Sequence, residues 1–342
     1  MKGALLLLLP LMSSAADYST SRSTVDGLEI IRLADAPRHA EVSIVPSAGN
    51  IAYEFQVNGK NAFWTPFRTA AELKAKPALC GNPLLWPWAN RLDQDAYWVN
   101  GRKYLLNPDL GNIRRDGNQK PIHGLLAFSS RWQVVKLEAD AQSARVTSRL
   151  EFWKYPDLMA QFPFAHTVEM TYRLKDGVLE VETALRNQST EPMPVSLGYH
   201  PYFRLHDVPR DDWKVHLSAR EQVILSSLLI PTGERKPNAY ANPQSLANTQ
   251  LDDVFTGLVR SDDGRAHFSV QGKKEKIEVI YGPKYTVAVV YAPARRDFIC
   301  FEPMAAVTNA FNLAHAGLYN ELQIVAPGAE WRESFWIAPS GF

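Results

Sequence analysis

Cysteine is nearly absent: the 342 residues contain two, Cys80 and Cys300. A disulfide-stapled scaffold is therefore excluded, and the pair leaves open one bridge or two buried free thiols. Neither sign of charge prevails, with Lys+Arg 37 against Asp+Glu 36 and a formal net charge of +1. Nothing here forms a footprint for nucleic acid or for an acidic membrane, and the expected partner is small and neutral. No H-x-H, H-E-x-x-H or C-x-x-C spacing occurs, so neither a metal nor any other cofactor is expected. A nucleotide enzyme or a serine hydrolase is equally unsupported, because the chain has no G-x-G-x-x-G after a strand, no Walker lysine and no G-x-S-x-G elbow. Long amphipathic helices are missing too. The one helical stretch, Thr69 to Lys76, is short and runs into Pro77.

Past the N-terminus no apolar run approaches the roughly 20 residues of a membrane span. The N-terminus itself carries Lys2, the apolar run Ala4 to Met12, and then Ser14-Ala15-Ala16. That layout predicts a secretory signal peptide over residues 1–16, cleaved before Asp17. The mature chain, 17–342, is then expected to be exported, periplasmic or extracellular, with no membrane attachment, as a single domain and a monomer. No linker, composition break or fixed-period repeat divides it.

What is abundant is period-2 alternation closed by turn residues. Val168, Met170, Tyr172 and Leu174 lead into Asp176-Gly177, followed by Leu179, Val181, Thr183 and Leu185. This spacing predicts a hairpin with one buried face. Tyr53, Phe55 and Val57 before Asn58-Gly59 repeat the pattern, and Asn100-Gly101 and Asp263-Gly264 are further turns. Many short strands with 23 prolines and 19 glycines predict an all-β sandwich or barrel with few short helices. The stretch Ser226 to Gln250, aperiodic and proline-interrupted, reads as a long loop over a site.

Four segments place polar or titratable side chains where the pattern otherwise calls for core. Trp86-Pro87-Trp88-Ala89-Asn90-Arg91 sets two indoles beside an amide and a guanidinium. That set suits a sugar, whose C–H faces stack on rings while its hydroxyls take directed hydrogen bonds; it suits a tryptophan-rich core corner equally well. His123-Gly124 and Gly198-Tyr199-His200-Pro201 put imidazoles beside residues of irregular backbone, in apolar surroundings. Either histidine fits general acid–base work, or a hydrogen-bonded structural role. In Ile299-Cys300-Phe301-Glu302-Pro303 a carboxylate ends an apolar strand. Desolvation there raises its pKa toward that of a useful base, unless the strand lies at an edge and Glu302 points to solvent. Asp252 and Asp253 add two more carboxylates.

Taken together and in order, these segments resemble the aldose 1-epimerase family. Ala89-Asn90-Arg91-Leu92 with Asn100-Gly101-Arg102-Lys103-Tyr104 is similar to that family's A-N-R-I and G-K-x-Y, and His123-Gly124 to its H-G-G. His200-Pro201-Tyr202-Phe203 resembles H-x-Y-F, Pro231-Thr232-Gly233 its P-T-G, and Asp252 with Phe255 its D-x-x-F. Cys300-Phe301-Glu302 resembles C-L-E. The departures are Trp86-Pro87-Trp88 in place of G-R-F, Leu125 in place of the second glycine, and Pro303-Met304 after the glutamate; the Glu-Pro pair resembles the branch that acts on glucose 6-phosphate.

The resemblance implies a β-supersandwich of the galactose mutarotase-like kind, and an isomerase that interconverts anomers of a free aldohexose without a cofactor. Glu302 would be the general base on the C1 hydroxyl and His200 the acid to the ring oxygen, their functional atoms facing one cleft roughly 4–8 Å apart. Arg91, His123, Asp252 and Asn90 would hold the sugar. Three alternatives stand beside this reading: a non-catalytic carbohydrate-binding module, a glycoside hydrolase using Glu302 with Asp252 or Asp253, and an epimerase of a hexose 6-phosphate.

Overall fold

The computed structural model describes residues 17–342, so the predicted signal peptide lies outside the described residues. The hairpins form where the turn chemistry places them. Asp176 and Gly177 adopt φ of 52° and 74°, the two left-handed positions that match the twist of antiparallel strands. They fold His166–Lys175 back on Val178–Asn187 in continuous register. Thr69 caps the short helix Ala70–Ala75, its hydroxyl accepting from the Glu72 N–H.

These hairpins join into three main sheets. Tyr18–Val25, Leu28–Asp35, Ala40–Val45, Ile51–Val57 and Lys60–Asn61 form a five-stranded meander. A nine-stranded sheet has the Val178–Asn187 and Glu330–Ser340 strands side by side at its centre. The third sheet, of eight strands, runs through Ala219–Leu225, Leu251–Leu258, Val287–Ala292, Ile299–Met304 and Gly198–Tyr199. Met170, Tyr172, Phe335 and Ile337 of the nine-stranded sheet pack in one core with Phe255, Val290, Ile299 and Phe301 of the eight-stranded one. The architecture is thus all-β, two large sheets face to face with few short helices, as alternation predicts.

Register decides what the other face of the eight-stranded sheet carries. Asp252 lies opposite Tyr291 and Val254 opposite Val289. Tyr291 lies opposite Cys300, and Val289 opposite Glu302. Tyr202 also pairs with Cys300. Side chains alternate along a strand, so Asp252, Tyr291, Tyr202, Cys300 and Glu302 share the face turned away from the core.

One expectation is corrected and two open alternatives are decided. The segment 226–250 is not one loop: Pro231–Pro237 pairs with Ala219–Leu225 across a register shift, and Gln244–Ser245 pairs with Lys214–His216. The first of these is an exposed edge strand, with one buried residue in seven, and such a strand has no apolar face to generate alternation. Trp86 and Trp88 are 0% and 1% exposed, so they are core residues and offer no stacking surface to a sugar. Cys80 and Cys300 are both buried free thiols, not a disulfide.

Candidate active site

Glu302 occupies an interior strand, flanked by Val287–Ala292 on one side and by Gly198–Tyr199 and Tyr202–Phe203 on the other. It is 1% exposed, which rules out the edge position and the solvent-facing side chain. Burial pushes its pKa well above the carboxylate range, the Asp252 charge adds to that, and Arg91 partly opposes it. His200 lies between two short strands, its backbone N–H donating to the Pro83 carbonyl at 3.1 Å. Its ring stacks on Tyr202, with centroids 4.7 Å apart and planes 13° apart. Burial, with the Arg114 charge adding to it, drives the imidazole pKa down to about 3.

His200 Nε2 and Glu302 Oε1 are 3.3 Å apart. The two groups therefore come together in direct contact, closer than the separation expected from a sugar ring between them. Desolvation favours such a meeting of two buried polar groups.

His123 presents its ring edge-on to His200, centroids 5.4 Å apart. It is held there by a left-handed backbone, φ 64°, and by its N–H donating to the Asn90 carbonyl at 2.8 Å. Burial lowers its pKa well below the usual value, with the charges of His200, Arg114 and Arg91 contributing. The next residue has to be glycine. A Cβ on Gly124 would lie 2.2 Å from the Trp86 carbonyl oxygen.

Arg91 lies beside the His123 segment, its backbone bridged to Ile122. Its Nε donates to Asp116 Oδ2 at 2.6 Å and its Nη1 to Asn90 Oδ1 at 3.0 Å. Asp116 Oδ1 in turn accepts from the N–H groups of Asn118 and Lys120. Burial pushes the Asp116 pKa up, but Arg91 and those N–H groups outweigh it and hold the carboxyl below its ordinary range. Asn90 thus orients Arg91, with its acceptor already engaged. Asp252 is exposed at the rim. The surrounding protein nevertheless desolvates its carboxyl and raises its pKa, Arg91 opposing.

Of the six residues singled out in the sequence, Glu302, His200 and His123 meet directly. Arg91 and Asp252 lie near enough for their charges to bear on Glu302, and Asn90 acts through Arg91. The sequence reading missed Asp116, which anchors Arg91, and Arg114, whose charge bears on both histidines. Arg114-Arg115-Asp116-Gly117 has the composition of a solvated turn, and no periodicity separates it from one. Tyr202, though part of a recognised motif, was not assigned its place under the His200 ring.

Four buried polar atoms of these residues lack a protein partner: His123 Nδ1, His200 Nδ1, Glu302 Oε2 and Arg114 Nη1. Buried polar atoms are nearly always hydrogen-bonded, so a cluster of unsatisfied ones in a cleft marks a place for the oxygens of a ligand.

Comparison with known proteins bears on the same residues. The pattern of the family described as Aldose 1-epimerase matches residues 30–338. The chain belongs to this family. An uncharacterized Escherichia coli K12 protein, YihR, is 25% identical to it over 237 residues, 67% of this chain and 71% of that one. Human galactose mutarotase is 27% identical over 198 residues, about half of each chain. Among solved structures, a galactose mutarotase-like protein from Clostridium acetobutylicum superposes with a TM-score of 0.84 at 21% identity, covering 95% of this chain and 99% of that one. Galactose 1-epimerase from Lactobacillus acidophilus gives 0.73 at 14%, over 96% and 100%. The fold is thus the galactose mutarotase-like one. In this aldose 1-epimerase family chain Leu125 replaces a glycine without strain: its N–H donates to the Trp86 carbonyl at 2.7 Å, and its own φ is not positive.

Proposed function

We propose that this protein is an aldose 1-epimerase that interconverts the α and β anomers of a free aldohexose, with Glu302 and His200 sharing the acid–base work. The observation that carries the reading is the 3.3 Å pair, Glu302 Oε1 to His200 Nε2, flanked by the unsatisfied atoms of His123 and Arg114. Ring opening needs a proton taken from O1 and a proton given to the neighbouring ring oxygen. One carboxylate and one imidazolium, side by side, suit two adjacent oxygens.

Burial favours the neutral form of each partner, so the pair at rest is a carboxylic acid beside a neutral imidazole. The ionised form, carboxylate beside imidazolium, holds the same number of protons. From it Glu302 takes the O1 proton as the C1–O5 bond breaks, the C1 aldehyde forms, and His200 delivers its proton to O5. The pair is left neutral. Rotation about C1–C2 and the reverse transfers close the ring on the other face. Arg91, oriented by Asp116 and Asn90, and Asp252 at the rim hold hydroxyls and keep the reacting atoms in register.

The test is polarimetry on freshly dissolved α-glucose and α-galactose. Decay of rotation above the buffer rate is the expected result. Binding without acceleration would replace the epimerase with a carbohydrate-binding module, and release of a reducing sugar from a glycoside would replace it with a hydrolase.

A further inference from the structure

Arg114 plays no part in the ring-opening step, yet it is built in beside the histidines. Its backbone carbonyl accepts from the Ile122 N–H at 3.0 Å, one residue from His123. Its guanidinium sits over the Phe128 ring, 5.0 Å from the centroid. Nη1 is buried without a hydrogen-bond partner, and among the described residues no carboxylate lies within ion-pairing distance of it. The other arginines of the cleft region are satisfied: Arg91 by Asp116 at 2.6 Å and Arg131 by Asp157 at 2.9 Å. A cavity of about 320 Å³ opens beside Arg114, lined also by Gly124, Leu125, Arg131 and Asp157, the last two neutralising each other as an ion pair.

Arg114 as a whole is half-buried, and a cation whose buried nitrogen has no partner favours a group of opposite charge beside it. Burial depresses the Arg114 pKa, and only Tyr202 opposes this. The position of the charge is informative. The Arg114 segment is bonded to the residue next to His123, whose ring lies 5.4 Å from that of His200; its charge bears on both histidines, whereas Arg91 bears on His123 and on Glu302. Arg114 therefore lies on the histidine side of the cleft. If His200 serves the ring oxygen, the sugar carbon that follows this oxygen away from C1, with its exocyclic substituent, points toward Arg114.

We propose that Arg114 and its cavity form a subsite for a singly charged acid group on that exocyclic carbon, making a hexuronate-type aldose the preferred substrate over the neutral hexose. The inference rests on the epimerase reading and revises the expectation of a neutral partner. A single unpaired guanidinium matches one negative charge and presents a fork of parallel donors to a carboxylate. A phosphate dianion would meet only half the countercharge it requires.

The experiment measures mutarotation of galacturonate, galactose and glucose 6-phosphate by polarimetry or NMR exchange, with galacturonate binding followed by calorimetry. Wild-type kcat/KM should be at least 10-fold higher for galacturonate than for galactose. In Arg114→Gln that ratio should fall by about 10- to 100-fold, the range of a lost charge-assisted hydrogen bond, and Arg114→Lys should recover part of it. A wild-type preference for galactose, or a ratio unmoved in Arg114→Gln, overturns the subsite. A preference for glucose 6-phosphate overturns the single-charge assignment. If no sugar is turned over, the epimerase reading fails on its own. Calorimetry then decides the subsite: galacturonate binding weakened at least 10-fold in Arg114→Gln supports it, and equal binding to both proteins removes it.

Discussion

Glu302 and His200 hold one exchangeable proton between them, and that count sets the pH dependence. Burial lowers the histidine to about 3 and raises the glutamate well above its usual range. The one-proton state therefore spans a wide interval. Activity should persist well below the ordinary histidine pKa, and it should be lost on the alkaline side, as pH rises through the raised value of Glu302. A kcat/KM profile that falls off around the ordinary histidine value of 6.5 would show that the two groups titrate separately. Glu302→Gln keeps the shape but removes the base, and it should lower kcat by on the order of 10²-fold with KM little changed; a near-normal kcat in this variant would eliminate the mechanism. Asp116 touches no reacting atom and positions Arg91. Asp116→Asn should raise KM several-fold, and in the double variant with Arg91→Ala its effect should vanish, since the group it orients is gone. Additive losses would assign Asp116 a purely structural role. Glu302 could be found in the sequence because a carboxylate inside an apolar strand is anomalous. Asp116 and Arg114 could not, because charged residues near a glycine look alike whether solvent or a cleft receives them.

At the scale of elements, backbone conformation places the histidines. The stretch from Trp86 to Arg91 and the segment around Ile122 to Leu125 approach so closely that Gly124 leaves no room for a methyl group, with the Trp86 carbonyl 2.2 Å from a would-be Cβ. Gly124→Ala should destabilise the protein by on the order of 3 kcal/mol, combining a positive φ with a backbone clash, and should reduce kcat by displacing His123. Gly59, also at positive φ but with open space around it, is the control: Gly59→Ala should cost about 1 kcal/mol and leave kcat alone. Equal melting shifts for the two would mean that φ matters and the close approach does not. Strands bounded by Asn-Gly and Asp-Gly turns were readable from alternation. The Pro231–Pro237 strand was not, because an edge exposed along nearly its whole length buries no alternate residues to read.

Across the whole molecule, burial of neutral histidines ties stability to pH. His166 is fully buried, its Nε2 accepting from Trp86 Nε1 at 2.8 Å and its Nδ1 bonded to the Phe164 carbonyl at 2.6 Å. Its pKa falls from 6.5 to about 4. Because the folded value lies below the unfolded one, the unfolded chain binds more protons between these two pH values, and stability falls as pH drops through that window. His166 alone accounts for roughly 3 kcal/mol, and the same sign applies to His200 and His123. Melting temperature should decline from pH 7 to pH 4, less steeply in His166→Gln. A flat profile would mean that these imidazoles are protonated in the fold. The all-β layering was accessible from composition and periodicity. Which face of which sheet carries Asp252, Tyr291 and Glu302 was not, since it depends on register between strands distant in the chain. That register has a kinetic corollary. Residues 91, 123, 200, 252 and 302 become neighbours only when contacts spanning up to 211 positions close, and long-range closure is the slow part of β-folding. During refolding from denaturant, sugar turnover should therefore return as a late event, after most strand signal in circular dichroism has recovered, and no fragment ending before residue 302 should show any.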